Sequence, residues 1–249
     1  MKYRNRGAAM ILTATLLLFG SISYSETSLP RLIDKPLAEY YQQALSAHYS
    51  GEPHKALAML ELLLIPPGTE VHADYSPLPA EVRNEFKKGV ERGFEMWREV
   101  LGNDFPFRLT NNPKAKVKIQ FLEKVSPEQD NCKGEIRSKR RIQWNKEVHY
   151  VEFTADVLVA KYSTKNHWMA SGEVAQIIAH ELGHAMGLGH PKGIGMVMGP
   201  VILGDPITQV QPLEAESVIA FRRIVRGTVD RISAQASSSQ RALITVIER

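Results

Sequence analysis

The chain has 249 residues, of which 43% are hydrophobic and 23% are charged, the range of a globular protein with one or two domains. Its formal net charge of +4 falls to +1 without residues 1–25, because that segment holds three basic side chains and no acidic one. A chain so near neutrality, without a long basic face, excludes nucleic acid as an expected partner. Cys132 is the only cysteine, so no disulfide can form within the chain.

The N-terminal segment, residues 1–25, is typical of a secretory signal peptide. Lys2, Arg4 and Arg6 precede an apolar run, and small residues follow that run. The run is shorter than the ~20 residues that a helix needs to cross a bilayer, so a retained membrane anchor is the weaker alternative. We therefore expect an exported protein, periplasmic or extracellular, with no stable membrane insertion once the signal is removed.

Residues 26–75 are predicted to form a small helical hairpin and a linker. Apolar residues recur at helical spacing on both sides of a break at Ser50-Gly51-Glu52-Pro53. These residues are Leu37, Tyr40, Tyr41, Ala44, Leu45, Ala56, Leu57, Leu60 and Leu63. Pro66-Pro67-Gly68 ends the pair, and the polar stretch that follows predicts a linker with a domain boundary near residue 75.

A long amphipathic helix is predicted from Ala80 to near Gly102, since its apolar residues are spaced by three or four. These residues are Val82, Phe86, Val90, Gly93, Trp97 and Val100. A half-buried strand is predicted from Val117 to Phe121, where apolar and polar residues alternate. The helix and the strand would open a folded domain over residues 76–226.

A hairpin is predicted next, with arms at 136–144 and 148–153 joined across Asn145-Lys146. The first arm carries the basic run from Arg137 to Arg141, which favours a solvated edge strand whose charges resist edge-to-edge pairing. Binding of an acidic substrate is the alternative role for this run. Residues 227–249 are polar and rich in serine, and we expect them to form a peripheral, mobile tail.

The segment from His180 to His190 reads HELGHAMGLGH and follows the pattern H-E-x-x-H-x-x-G-x-x-H at every fixed position. On a helix, His180 and His184 lie ~40° apart around the axis and ~6 Å apart along it, so both imidazoles can reach one ion. His190 can join them only if the helix stops first. Gly187 permits that stop, because a residue without a Cβ adopts positive φ at low cost.

Three histidines suit a catalytic zinc ion, which takes three protein ligands at ~2.0–2.3 Å and keeps a fourth position open. Zinc lowers the pKa of water from 15.7 toward ~7 and polarises a carbonyl group as a Lewis acid. Glu181 lies ~100° around the helix from His180 and is predicted to act as the general base that takes the proton of that water. A structural zinc site is disfavoured, since such sites have four protein ligands with cysteine among them.

This motif resembles that of the metzincin peptidases, and the segment from Val82 to Val225 looks most like their matrixin branch. The resemblance implies a mixed α/β (α+β) zincin domain in which a twisted mixed sheet and an active-site helix frame a cleft. It also implies a methionine turn beneath the zinc, eight positions beyond the third histidine, where the chain has Met198. Met196 is the competing candidate for that turn.

The implied activity is zinc-dependent cleavage of a protein or peptide that lies extended along an edge strand. Residues 199–210 would shape the pocket that selects one side chain of the substrate. Two other interpretations remain open. One is a non-catalytic interaction module with a vestigial zinc site, which the intact Glu181 disfavours; the other is a zinc amidohydrolase that acts on a cell-wall peptide. The oligomeric state is not indicated by the sequence.

Overall fold

The computed structural model describes residues 28–126, 128, 132–144, 149–164, 167–191 and 195–247. The predicted signal segment and the Asn145-Lys146 turn lie outside these residues. The helices are α1 (Lys35–Tyr49), α2 (Pro53–Leu62), α3 (Ala80–Leu101), α4 (Ser171–Ala185) and α5 (Pro212–Ile247). The strands are β1 (Thr69–Asp74), β2 (Phe107–Thr110), β3 (Val117–Leu122), β4 (Gly134–Trp144), β5 (His149–Ala160), β6 (Tyr162–Thr164) and β7 (His167–Trp168).

A five-stranded sheet forms the centre of the domain, in the order β2-β1-β3-β5-β4. β1, β2, β3 and β5 run parallel, and β4 runs antiparallel to β5 at one edge. The predicted strand is present as β3, where Val117, Ile119 and Phe121 are buried and the residues between them are more exposed. The mixed sheet and its helices confirm the expected mixed α/β domain.

The predicted linker is wrong, because residues 69–74 form β1 between β2 and β3 inside the sheet. The composition of this strand hides it, since Val71 is its one fully buried residue and its neighbours include Glu70, His72 and Asp74. Its place is set by backbone pairing on both sides, with Val71 opposite Leu109 and Val117. Such pairing leaves little hydrophobic signal in the strand's own sequence.

Helices α3 and α4 cross at close range because α3 presents two glycines to α4. A Cβ on Gly93 would come within 2.8 Å of Ile178, and a Cβ on Gly89 would come within 2.6 Å of Val174. The buried indole N–H of Trp97 donates to the carbonyl oxygen of Ala179 at 2.7 Å. These contacts fix the position of α4, which carries the histidine motif, relative to α3.

Two helices form where the hairpin was predicted, and they pack on the remainder of the protein. The hydroxyl groups of Tyr41 and Thr228 are 3.0 Å apart, which joins α1 to α5.

The expected mobile tail is wrong over its first part, because α5 continues through residues 227–236 and buries both Thr228 and Ile232. The serine-rich composition conceals this stripe, in which Val225, Thr228 and Ile232 recur at helical spacing.

The predicted hairpin is present as β4 and β5, and β4 lies at the sheet edge as expected. Arg137 and Arg141 are exposed and pair with Glu135 and Glu152, in keeping with a solvated strand. Arg140 differs from its neighbours because it turns inward, over the ring of Phe153 at 5.1 Å. No helix in the described part of the chain combines the length and apolar character needed to cross a bilayer.

Candidate metal centre

Helix α4 begins and ends at residues that satisfy its exposed backbone groups. The carboxylate of Glu173 in its first turn accepts a hydrogen bond from the N–H of Ala170 at 3.0 Å. At the other end, Gly187 adopts a φ of +107°, where a side chain would be strained. The chain therefore leaves the helix just after Met186, as the spacing of the motif predicts.

The reversal at Gly187 brings His190 back to the two histidines of the helix. The Nε2 atoms of His180 and His184 are 3.1 Å apart, and the Nε2 of His190 lies 3.1 Å and 3.2 Å from them. His180 is buried, His184 is half-buried and His190 is exposed. The three nitrogens thus form a small triangle that opens toward solvent on the side of His190.

Hydrogen bonds on the far side of two rings decide which nitrogen carries the proton. Nδ1 of His180 lies 2.7 Å from the carbonyl oxygen of Val197, and Nδ1 of His184 lies 2.8 Å from that of Leu188. A carbonyl oxygen only accepts, so each Nδ1 is the protonated nitrogen and each Nε2 presents a lone pair. The short distance between the Nε2 atoms of His180 and His184 is therefore not a hydrogen bond.

This donor set fits zinc. Three nitrogens on a tetrahedral ion, with bonds of ~2.0–2.1 Å, lie about 3.3 Å apart, close to the spacing observed here. Lone pairs crowded at this distance repel one another unless a cation lies between them. Burial also lowers the pKa of His180 to about 4, helped by the nearby His184, and it lowers the pKa of His184. Both rings therefore stay neutral at physiological pH, as ligands must be.

Glu181 lies on the same helix and lines the same cleft as His180 and His190. Its side chain is 4% exposed and faces the start of β4, where a Cβ on Gly134 would come within 2.5 Å of its Oε1. Burial raises the pKa of this carboxyl to about 8, with a further rise from Glu135, while a hydrogen bond to the backbone of Ile136 opposes both. The group can therefore hold a proton near neutral pH.

Met198 packs against α4 and lines the same cleft as His180 and His190. A Cβ on Gly183 would come within 2.2 Å of the Met198 sulfur, so the helix has no room for a side chain at that position. Met198 is fully buried, whereas Met196 is partly exposed. The buried carboxylate of Glu214 accepts hydrogen bonds from the N–H groups of Met198 at 2.7 Å and Gln211 at 2.8 Å. Glu214 thus links the turn at Met198 to the first turn of α5.

Of the six predicted site residues, His180, His184 and His190 form one group, Glu181 and Met198 line the same cleft as His180 and His190, and Gly187 lies at the reversal of the chain between His184 and His190. Sequence reasoning missed Glu214, although a proline followed two residues later by a glutamate, as in Pro212-Leu213-Glu214, is a helix-start signal. It also missed that Cys132 lines the cleft, where its thiol donates to the carbonyl oxygen of Gly134 at 3.1 Å. Burial raises the pKa of this thiol, so it stays protonated and is not one of the grouped ligands.

The cleft in front of the histidines has a volume of about 1230 Å³ and is open to solvent. A mixed α/β domain with a three-histidine centre at the floor of such a cleft defines the class of zinc hydrolases. The model of the matrixin family of peptidases, M10, matches residues 73–218, which is more than half of the chain. The chain therefore belongs to the matrixin family and is a zinc metalloendopeptidase. No curated protein matches it significantly.

Proposed function

We propose that this matrixin cleaves peptide bonds in proteins or peptides, with His180, His184 and His190 as the zinc ligands and Glu181 as the general base. The observation that carries the proposal is the triangle of Nε2 atoms, 3.1–3.2 Å on each side, with the Glu181 carboxylate in the same cleft. Met198 and Gly187 act as structural residues, one supporting the histidines from below and the other reversing the chain between two of them.

The division of work among these residues follows from their surroundings. Zinc, when bound, supplies a Lewis acid that acidifies water and polarises the scissile carbonyl group. Glu181 would take a proton from that water in its ionised form and pass it to the departing amine. Burial favours the protonated form in the metal-free cleft, whereas the positive charge of zinc would favour the ionised form, so the base would be available when the metal is bound. The hydrogen bonds from His180 and His184 to backbone carbonyl oxygens keep both rings oriented throughout.

The edge of the sheet suits an extended peptide as substrate. β4 borders the cleft at Gly134, next to the Glu181 carboxylate, and an edge strand can pair with a peptide through backbone hydrogen bonds. The apolar side chains of Val201 and Leu203 line the same cleft and supply contacts for one substrate side chain. We further propose that the enzyme acts outside the cytoplasm, periplasmic or extracellular, on the basis of the signal-like residues 1–25.

The decisive experiment is Glu181→Gln, which keeps the shape of the side chain and removes its ability to accept the proton. We expect bound zinc to remain at one ion per chain and hydrolysis of casein to fall by at least a hundredfold. Glu91→Gln is the matched control, since it makes the same change on the exposed face of α3 and should leave turnover unchanged. Turnover near the wild-type value in Glu181→Gln would refute the assigned mechanism.

The substrate class is tested with one preparation of zinc-loaded protein on three substrates. Casein, purified peptidoglycan and an acylated small molecule are offered in turn, each with and without a chelator. We expect chelator-sensitive cleavage of casein at internal bonds, read by mass spectrometry. Chelator-sensitive release of peptidoglycan fragments with intact casein would instead favour the amidohydrolase.

A further inference from the structure

A short segment near the N-terminus pairs with the turn that carries the third histidine. The N–H of Asp34 donates to the carbonyl oxygen of Gly187 at 2.8 Å, and the N–H of Gly189 donates to the carbonyl oxygen of Leu32 at 2.7 Å. Between these bonds, Ile33 and Leu188 form an antiparallel bridge. The segment thus binds both ends of the three residues that lead into His190.

Side chains reinforce this pairing. A Cβ on Gly187 would come within 3.2 Å of the Leu37 side chain, so α1 packs directly on the reversal of the chain. Leu188 is fully buried and Ile33 is 8% exposed, so the bridge belongs to the hydrophobic core. The turn after α4 therefore rests on residues that precede the region matched by the family model.

The helical hairpin anchors the segment to the body of the domain. The guanidinium group of Arg140 on β4 donates to the carbonyl oxygen of Leu62 at the end of α2 and, at 2.8 Å, to that of Ala185 at the end of α4. One cation thus joins the carbonyl ends of two helices, where positive charge is favoured. A second link, the contact between the hydroxyl groups of Tyr41 and Thr228, joins α1 to α5.

We propose that residues 32–64, the N-terminal clamp, are a permanent positioning element of this enzyme, which holds the 187–189 turn so that His190 reaches the other two histidines. The inference rests on the proposed role of His190 as a ligand. It follows that the clamp is retained in the active enzyme, and that loss of its contact with the turn weakens zinc binding. A segment removed to activate the protein would have to end before residue 32.

The test removes one N–H group. Asp34 has a φ of −59°, which proline adopts, so Asp34→Pro deletes the donor to Gly187 without changing φ, and the proline ring pushes the Gly187 carbonyl oxygen away from its place 2.8 Å from the nitrogen. Asp34→Ala is the matched reference for the proline variant, because both lack the carboxylate that acts on His184 and only the alanine variant keeps the N–H. Leu37→Ala is a second variant that loosens the same contact without altering the backbone.

Each variant is measured for zinc affinity against a competing chelating dye, for hydrogen exchange of the 187–190 amides without metal, and for melting temperature without metal. In Asp34→Pro and Leu37→Ala we expect zinc affinity to fall about threefold to tenfold, the effect of one such contact. The 187–190 amides should exchange faster and the metal-free melting temperature should change little, with Asp34→Pro compared with Asp34→Ala and Leu37→Ala compared with the wild type.

The outcomes separate the clamp from the peptidase. Wild-type zinc affinity and unchanged exchange in Leu37→Ala and in a folded Asp34→Pro would overturn the clamp and leave the proposed function intact. If Asp34→Pro does not fold, Leu37→Ala alone decides. If the wild type binds zinc but hydrolyses nothing, the clamp is still judged by affinity and exchange while the peptidase proposal fails.

Discussion

At the scale of single residues, the chemistry of this site depends on burial as much as on residue type. His180 and Glu181 are neighbours on one helix, and burial disfavours the charged form of both, so the pKa of the histidine falls to about 4 and that of the carboxyl rises to about 8. In the metal-free protein the imidazole is therefore neutral above about pH 4, and the carboxyl holds its proton up to about pH 8. The same burial therefore shifts the two pKa values in opposite directions.

This difference predicts how the stability of the metal-free protein depends on pH. The folded state holds the Glu181 proton up to about pH 8, whereas the unfolded chain releases it near 4.5, so this group loses its stabilising effect as pH rises between those values. His180 has the opposite effect, but only between about 4 and 6.5. Above pH 6.5 the carboxyl acts without opposition from His180.

We therefore expect the free energy of unfolding of the metal-free wild type to fall relative to that of Glu181→Gln as pH rises from 6.5 to 8. Urea denaturation in the presence of a chelator measures the difference at each pH. Parallel curves for the two proteins across this range would show that burial does not perturb Glu181.

At the scale of elements, α4 and the Met198 turn lie so close that the helix tolerates only glycine at one point. We predict that Gly183→Ala destabilises the protein by roughly 1–3 kcal/mol and weakens zinc binding, because the added Cβ would lie within 2.2 Å of the Met198 sulfur. The buried Met198 side chain would have to shift, and any movement that it passes to the turn would displace the Val197 carbonyl that orients His180.

Gly227→Ala is the matched control for this prediction. Gly227 is also helical, in α5, and an added Cβ there would meet no atom within 4 Å. Alanine should stabilise the protein by roughly 0.5–1 kcal/mol and leave zinc affinity unchanged. Chemical denaturation and zinc titration of both variants test the pair, and equal effects at the two sites would contradict the packing argument.

At the scale of the whole molecule, the metal centre joins parts of the chain that are far apart in sequence. The three histidines come from α4 and its turn, and that turn is held by the clamp and faces Phe221 of α5. A ligand that binds only the folded state stabilises it by mass action, about 2.7 kcal/mol at a hundred times its dissociation constant. Zinc should therefore stabilise the entire fold.

We predict that zinc at this excess raises the melting temperature by roughly 5–10 °C and that a chelator reverses the change. His190→Ala should lose most of this increase while melting near the wild type without metal, since His190 is exposed. Differential scanning calorimetry with and without zinc measures both. An equal zinc effect in His190→Ala would mean that His190 is not a ligand.

Most of the candidate site could be predicted from the sequence, because its information is local. His180, Glu181 and His184 are set by helical spacing, and Gly187 marks the end of the helix by its lack of a side chain. The long helix α3 and the strand β3 were equally visible, since burial on one face leaves a periodic pattern in the chain. These features need no knowledge of distant residues.

The chain by itself thus predicted the metal, the three histidines proposed as its ligands and the helix that presents them, since a motif with fixed offsets carries its own geometry. The tertiary structure decided the rest: that 69–74 is an inner strand, that residues beyond 227 continue a packed helix, and that Leu32 and Asp34 are hydrogen-bonded to the turn before His190. The reason is physical, because strand pairing and backbone hydrogen bonds between distant segments use groups common to nearly every residue. Such contacts leave no pattern of side chains in the sequence.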